Sequence, residues 1–111
     1  MDTLASKPSP SGSMPGGIRL ERGRGPSKRW RLDPGVMRWV IGRGHDSDLV
    51  LDDPAVSRQH AELLRKDGAL WLYDLGSKNG VLVDGARADG QRVDIGVVIG
   101  IGDCLLRAVA D

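Results

Sequence analysis

Closely spaced turn signals divide this sequence into short apolar segments. Residues 33–35 (Asp-Pro-Gly), 79–80 (Asn-Gly) and 84–85 (Asp-Gly) each favour a tight turn, and the chain of 111 residues contains 16 glycines and 6 prolines but no phenylalanine. Short segments at intervals of about 8 to 12 residues are typical of all-β sandwiches. The pattern argues against long helices and against βαβ units.

The segments between these turns have the composition of strands. Within 69–73, Leu70 and Leu72 alternate with Trp71 and Tyr73, so both faces are apolar, as they are in a sandwich. Applied along the chain, the same criteria predict strands at residues 18–20, 28–32, 39–41, 49–51, 69–73, 81–83, 97–102 and 104–106.

Length and charge predict one domain with a basic leader. Residues 1–17 are rich in Ser, Pro and Gly and predict a flexible leader, whereas residues 18–111 are long enough for a single core. The net charge is +1, and residues 1–31 hold seven Lys or Arg against two acids. A basic segment can attract nucleic acid or an anionic surface, but we favour a solvating tail. Thr3, the sole threonine, is interpreted as an ordinary tail residue; the alternative is a phosphorylated Thr3 that binds its own domain.

Cysteine content and hydropathy indicate the compartment. Cys104 is the single cysteine, so neither a disulfide framework nor a thiol-pair metal site can form within the chain. No apolar stretch approaches the roughly 20 residues that span a bilayer, and the N-terminus lacks an apolar signal core. We therefore predict a reducing, cytoplasmic location with no membrane association.

Three short polar motifs stand between the predicted strands. They are Gly42-Arg43, then 57–60 (Ser-Arg-Gln-His), then 74–80 (Asp-Leu-Gly-Ser-Lys-Asn-Gly). Each motif alone is weak, because polar turns of this kind are mostly structural. Together, in this order and spacing, they resemble the forkhead-associated (FHA) domain, a phosphothreonine-binding β-sandwich, over about residues 18–109. The sequence of residues 57–63 resembles that of bacterial members of this family.

The resemblance implies both a fold and a function. It implies a two-sheet, SMAD/FHA-like β-sandwich of about 10 to 11 short strands with functional loops at one end. The implied function is a non-enzymatic, phosphothreonine-dependent module for signal transduction. Its expected partner is a phosphothreonine-containing protein or peptide, and indirectly the Ser/Thr kinase that modifies it. The domain is expected to be a monomer or a module of a larger protein.

Residues 54–67 have two conflicting interpretations. A proline after a possible N-cap, no internal glycine and a closing glycine fit the rules for a helix. The resemblance instead makes 53–59 a loop and 60–65 a strand. We adopt the second interpretation, because a helix would separate Ser57 from Arg43.

The resemblance also assigns the site residues. A phosphate monoester carries about −1.5 to −2 charges and three strong acceptor oxygens, so its site needs convergent donors. By resemblance, Arg43, Ser57 and Arg58 hold the phosphate, and Asn79 binds the backbone of the ligand. Further contacts are expected from Lys78, Ser77 and His45, and structural support from Gly42, His60 and Gly80.

Two positions depart from the pattern of the family. Lys78 stands where members commonly have threonine, so a mobile ammonium replaces a hydroxyl and its contact with the ligand is open. Val97 follows Gly96 where members usually have Gly-Asp, and we expect this change to affect stability more than binding.

Two other classes of function are weighed against this one. A small nucleic-acid-binding domain would use the basic leader and residues 54–67, with Arg58, Arg65 and Lys66. The near-neutral net charge and the few aromatic residues argue against it. An enzyme would need a nucleophile, acid or second ligand beside His60, and the sequence offers none that can be paired. We therefore expect neither catalysis nor a metal or other cofactor.

Overall fold

The computed structural model describes residues 17–23 and 28–110. Within those ranges the chain forms eleven strands and no helix: β1 Ile18–Arg22, β2 Lys28–Leu32, β3 Arg38–Gly42, β4 Leu49–Val50, β5 Ala61–Lys66, β6 Ala69–Asp74, β7 Val81–Val83, β8 Ala86–Arg87, β9 Gln91–Val93, β10 Val98–Ile101 and β11 Cys104–Ala110. The predicted all-β class is confirmed. Thr3 and the leader, apart from Gly17, lie outside the described residues, and the boundary after residue 17 stays a prediction.

The strands form two sheets. One has the order β9-β6-β5-β3-β4 and is antiparallel except at its edge, where β3 and β4 run parallel with Ile41 opposite Leu49. The other has the order β2-β1-β11-β10-β7-β8 and is antiparallel throughout. The described part of the chain contains no helix, and therefore no helix that could span a bilayer.

Alternation along the strands builds the core between the sheets. In β11, Cys104, Leu106 and Ala108 are buried, whereas Leu105 and Arg107 are exposed. Because successive side chains of a strand point to opposite faces, one face of each sheet supplies the core and the other faces solvent. The largest fully buried side chains are Ile18, Leu20, Leu32, Ile41, Leu49, Leu51, Leu63, Leu70, Leu72, Ile99, Ile101 and Leu106.

The helix-like stretch is a loop followed by a strand, as the resemblance predicted. β5 begins at Ala61 and pairs on both sides, with β3 and with β6. Sheet pairing satisfies the backbone there, and tertiary context thereby overrides the local helix signals. Asp53 accepts a hydrogen bond from the amide of Ala55 at 2.8 Å, so it caps a turn rather than a helix.

Three loops meet at one end of the sandwich, and we name them by their residues: the 43–48 loop, the 51–60 loop and the 75–80 loop. Arg43 donates its main-chain N–H to the carbonyl of Ser57 at 3.0 Å, which joins the first two loops. Leu75 donates its N–H to the carbonyl of His60 at 3.0 Å, which joins the second and third.

The departure at Val97 lies in a turn before β10. Its amide bonds the carbonyl of Asp94 at 3.1 Å, and its side chain packs against the core. Ile101, at the other end of β10, pairs with Val81, which follows the 75–80 loop. Val97 is therefore at the end of β10 remote from that loop.

Candidate functional site

Arg43 is exposed, and the 51–60 loop binds its main chain and the base of its guanidinium. Its Nε donates to the carbonyl of Val56 at 3.0 Å, in addition to its main-chain bond with Ser57. Within the described residues only Nε of this side chain is hydrogen-bonded, so its two terminal nitrogens can bind two acceptor oxygens.

Gly42 allows the two loops to approach this closely. A Cβ on Gly42 would lie 2.8 Å from the carbonyl carbon of Arg58 and closer still to its oxygen. The neighbouring Gly44 donates its amide to that same oxygen at 3.0 Å. The absence of a side chain at Gly42 is therefore what places Arg43 beside the chain of Arg58.

Ser57 connects the 51–60 loop to the 75–80 loop. Its hydroxyl oxygen accepts a hydrogen bond from the amide of Lys78 at 3.1 Å. A hydroxyl that accepts from one partner can still donate its proton to another. Asn79 reaches the same loop, because its Nδ2 donates to the carbonyl of Ala55 at 2.8 Å. One N–H and the carbonyl oxygen of Asn79 stay available for a ligand.

His60 lies beneath these loops and is fully buried. The amide of Ser57 donates to its Nδ1 at 3.0 Å, so Nδ1 must be an unprotonated acceptor. Nε2 then carries the proton and donates to the carbonyl of Gly80 at 2.7 Å. One imidazole thus joins the backbone of the two loops that carry Ser57 and Asn79.

Ser77 stabilises the conformation of its own loop. Its hydroxyl accepts from the amide of Gly80 at 2.8 Å, and its amide donates to Asp74 Oδ1 at 2.8 Å. Gly80 has a φ of +78°, in the left-handed region that favours glycine. These bonds close the turn that presents Lys78 and Asn79, both of which are exposed.

A buried acid and a buried thiol support the start of the 51–60 loop, and no sequence motif marks them as functional. Asp53 Oδ1 bonds the amide of Ala55, and its Oδ2 accepts from Cys104 Sγ at 3.5 Å. Burial raises the pKa of the Cys104 thiol, the charge of Arg22 opposes that shift, and the bond to Asp53 reinforces it.

An open cleft of about 800 Å³ lies in front of Arg43 and is lined by Arg43, Gly44, His45, Asp46, Asp52, Arg58 and Gln59. The cleft brings together three of the predicted site residues, Arg43, Arg58 and His45. It also contains two carboxylates, Asp46 and Asp52, which the sequence interpretation did not select. Among the described residues none of these charged groups takes part in an ion pair.

The basic residues of the alternative nucleic-acid surface do not come together. Arg58 is at the loop end, whereas Arg65 bonds the carbonyl of Val36 at 3.2 Å, before the opposite end of β3. Lys66 donates to the hydroxyl of Tyr73 at 2.9 Å. Residues 54–67 therefore form no continuous basic surface of the kind that binds a phosphate backbone.

Comparison with known proteins identifies the family. The family model for the FHA domain matches residues 39–102. The oxoglutarate dehydrogenase inhibitor of Corynebacterium diphtheriae is 36% identical over 87 residues, which cover 78% of this chain and 59% of that protein. The glycogen accumulation regulator GarA of Mycolicibacterium smegmatis is 38% identical over 93 residues, 78% of this chain and 56% of the relative. The chain thus spans less than two thirds of either relative's length.

A solved structure described as an analysis of phosphothreonine-dependent FHA domain interactions superimposes with a TM-score of 0.79 and 29% identity, covering 86% of this chain and 98% of that one. Its coverage extends beyond the matched motifs to the whole sandwich. The match over more than half of the sequence, the two-sheet architecture and the loop end with Arg43, Ser57 and Asn79 agree with one another. This chain belongs to the FHA domain family.

Proposed function

We propose that this chain is a non-enzymatic module that binds a phosphothreonine on a partner protein at the loop end of the sandwich. The observation that carries the proposal is the bond between the amide of Arg43 and the carbonyl of Ser57 at 3.0 Å. It joins Arg43, which lines the open cleft, to the neighbouring loop that carries the Ser57 hydroxyl.

The donors in this region fit a phosphate dianion. Arg43 supplies a permanently charged fork, Ser57 a short hydroxyl donor and Arg58 a second guanidinium on the same cleft. His45, which also lines the cleft, is an additional candidate contact. The exposed ammonium of Lys78 adds positive charge beside Ser57, since the amide of Lys78 is already bonded there.

Asn79 is proposed to bind the ligand's main chain beside the phosphothreonine. An amide side chain offers both a donor and an acceptor, as an extended peptide backbone requires. Its bond to Ala55 fixes the side chain in advance, so little rotamer entropy is lost when the peptide binds. Gly42, His60 and Gly80 are proposed to support the site without touching the ligand.

The names of the relatives support a regulatory role. One is called an inhibitor of oxoglutarate dehydrogenase and the other a regulator of glycogen accumulation. We propose by analogy that this chain acts in the bacterial cytoplasm, where it docks to a protein phosphorylated by a Ser/Thr kinase, as a monomer or as a module of a larger protein.

The test is an oriented phosphothreonine peptide library, followed by calorimetry on the best peptide, its unphosphorylated twin and its phosphoserine analogue. We expect binding only to the phosphorylated peptides. Phosphothreonine should be favoured over phosphoserine by about fourfold if its methyl is buried, which is worth about 0.8 kcal/mol.

Arg43→Ala provides the matched variant. Removing one partner of a charge-assisted contact should cost about 2 to 5 kcal/mol of binding free energy. Arg92→Ala is the control, because Arg92 pairs with Asp94 at 3.0 Å and lies outside the cleft. Equal binding of phosphorylated and unphosphorylated peptides would rule the proposed function out.

A further inference from the structure

Arg87 lies directly against the loop that carries Asn79. The strand β8 is at the edge of the six-stranded sheet, and its Arg87 is exposed. The Nη2, Nε and Cζ atoms of this side chain lie 2.5, 2.6 and 2.8 Å from the position that a Cβ on Gly80 would occupy. Three guanidinium atoms at nearly equal distances mean that the flat group covers Gly80, and any side chain at that position would displace it.

The charge of Arg87 has no partner in the part of the chain that the structure describes. Arg38 pairs with Glu62 and Arg92 with Asp94, but no ion pair or side-chain hydrogen bond involves Arg87. Its guanidinium is thus held in place by packing, while its N–H donors stay free to bind an acceptor.

We infer that Arg87 is a specificity-determining residue that binds a carboxylate side chain of the phosphothreonine ligand; this inference rests on the proposed function. The Ser57 hydroxyl is bonded to the amide of Lys78, and the Arg87 guanidinium lies against Gly80, two residues further along. These contacts limit the distance between the hydroxyl and the guanidinium to about 16 Å. An extended peptide covers that distance in at most about five residues at 3.3 Å each. The acidic residue therefore lies within about five positions of the phosphothreonine.

A single guanidinium makes this preference directional, because an extended peptide held by its phosphate can pass Arg87 with only one of its two flanks. An aspartate or glutamate is consequently favoured only on the side of the phosphothreonine that passes Asn79 and reaches Arg87. The ligand class is a phosphothreonine peptide with an acid on one side.

Packing against Gly80 also prepares Arg87 for binding. A free arginine loses rotamer entropy when it binds, whereas one already held against a surface loses less. Its planar fork then accepts a carboxylate through two parallel hydrogen bonds. Lysine at this position would keep the charge but lose the fork and the flat contact.

The experiment moves a single aspartate, and in a second series a single lysine, through the five positions on each side of phosphothreonine in an alanine background that contains no other charged residue. Affinity is measured by fluorescence anisotropy for the unaltered chain, Arg87→Ala, Arg87→Glu and the control Arg92→Ala. Thermal unfolding of each variant confirms that the domain is intact.

We expect aspartate at one or two positions, all on one side, to strengthen binding about 3- to 10-fold in the unaltered chain and in Arg92→Ala. Arg87→Ala should remove this gain while binding the aspartate-free peptide within about twofold of the unaltered chain. Arg87→Glu should prefer lysine at those same positions, which a merely structural role of Arg87 would not produce.

The inference is overturned if the aspartate scan is flat, if the gain occurs equally on both sides, or if it persists in Arg87→Ala. Failure of the proposed function is distinguishable from these results. In that case no peptide of the series binds in a phosphate-dependent manner, Arg43→Ala has no effect, and both ideas are rejected together.

Discussion

The hydroxyl oxygen of Ser57 accepts a hydrogen bond from the amide of Lys78 at 3.1 Å, across 21 residues of chain. This bond determines how the hydroxyl can act. One lone pair of this oxygen is engaged with the 75–80 loop, while its proton is available for a different partner, and the proposed phosphate supplies one.

Ser57→Ala should therefore weaken phosphopeptide binding more than it weakens the fold. Losing a hydrogen bond to a charged group costs about 1.5 to 3 kcal/mol, roughly 10- to 150-fold in affinity. Losing the neutral bond to Lys78 should lower the free energy of unfolding by only about 1 kcal/mol. Calorimetry and urea unfolding measure the two effects.

Ser77→Ala is the matched control for that variant. Ser77 bonds Gly80 within its own loop, so its loss should cost similar stability but much less affinity. Equal losses of affinity in the two variants would contradict the role given to Ser57.

His60→Ala should destabilise the whole domain. It removes both bonds of a fully buried imidazole, leaves the Ser57 amide and the Gly80 carbonyl without their partner, and opens a cavity. We expect a loss of about 2 to 4 kcal/mol in urea unfolding. The control is His45→Ala, an exposed residue, which should change stability by no more than about 0.5 kcal/mol. If His60→Ala left the urea midpoint of unfolding unchanged, the proposed supporting role of His60 would be contradicted.

Gly42→Ala should separate the two loops that hold Arg43 and Ser57. The added methyl would overlap the carbonyl of Arg58, and because that neighbour is backbone it cannot rotate away. We expect a stability loss of about 1 to 3 kcal/mol and weaker phosphopeptide binding. In Gly35→Ala the new Cβ meets only the Asp33 side chain at 3.5 Å, an ordinary contact, so thermal unfolding should be nearly unchanged. Similar unfolding temperatures for the two variants would count against this explanation.

The strands and the loop end were predictable from sequence for different reasons. The sequence indicated two apolar faces for Ala69–Asp74, whereas the structure buries the face with Leu70 and Leu72 and leaves Trp71 and Tyr73 half-buried, a local consequence of the pleat. Residues 54–67 show where local rules fail, because helix signals there are overridden by pairing of β5 on both sides. There only the resemblance gave the correct structure.

Asp53 and Arg87, which the sequence interpretation did not select as site residues, are recognised only by their contacts in the folded chain. Arg87 matters because it covers Gly80, and Asp53 because it meets Cys104, which is 51 residues away. A motif records residues close together in sequence, so the three motifs led to the prediction of Arg43, Ser57 and Asn79. They could not reveal partners that strand pairing, as for Arg87, or the packing of the two sheets, as for Asp53, brings near.

Asp52→Asn should strengthen phosphopeptide binding. Asp52 and Asp46 line the cleft beside Arg43 without ion-pair partners in the described residues, so they repel the phosphate dianion proposed to bind there. Solvent and salt screen such exposed charges, so we expect a gain of about two- to fivefold at low ionic strength that shrinks at 0.5 M salt. Asp103→Asn, outside the cleft, is the control. Weaker binding by Asp52→Asn would show that Asp52 contacts the ligand favourably instead.

Cys104 should make stability fall at alkaline pH. The thiol is fully buried, and burial raises its pKa above the ordinary value of 9.0, so the native state keeps the thiol proton to higher pH than the unfolded chain. The unfolded state then binds fewer protons, and the thiol's contribution, complete below pH 9, is lost as pH rises beyond it. Cys104→Ala lacks this contribution but shares every other titrating group. The difference in unfolding free energy between the two proteins, measured in urea at pH 7, 8, 9 and 10, should therefore decline only at the upper end. A constant difference would mean that Cys104 ionises equally readily in the folded and unfolded chains, contrary to its burial against Asp53.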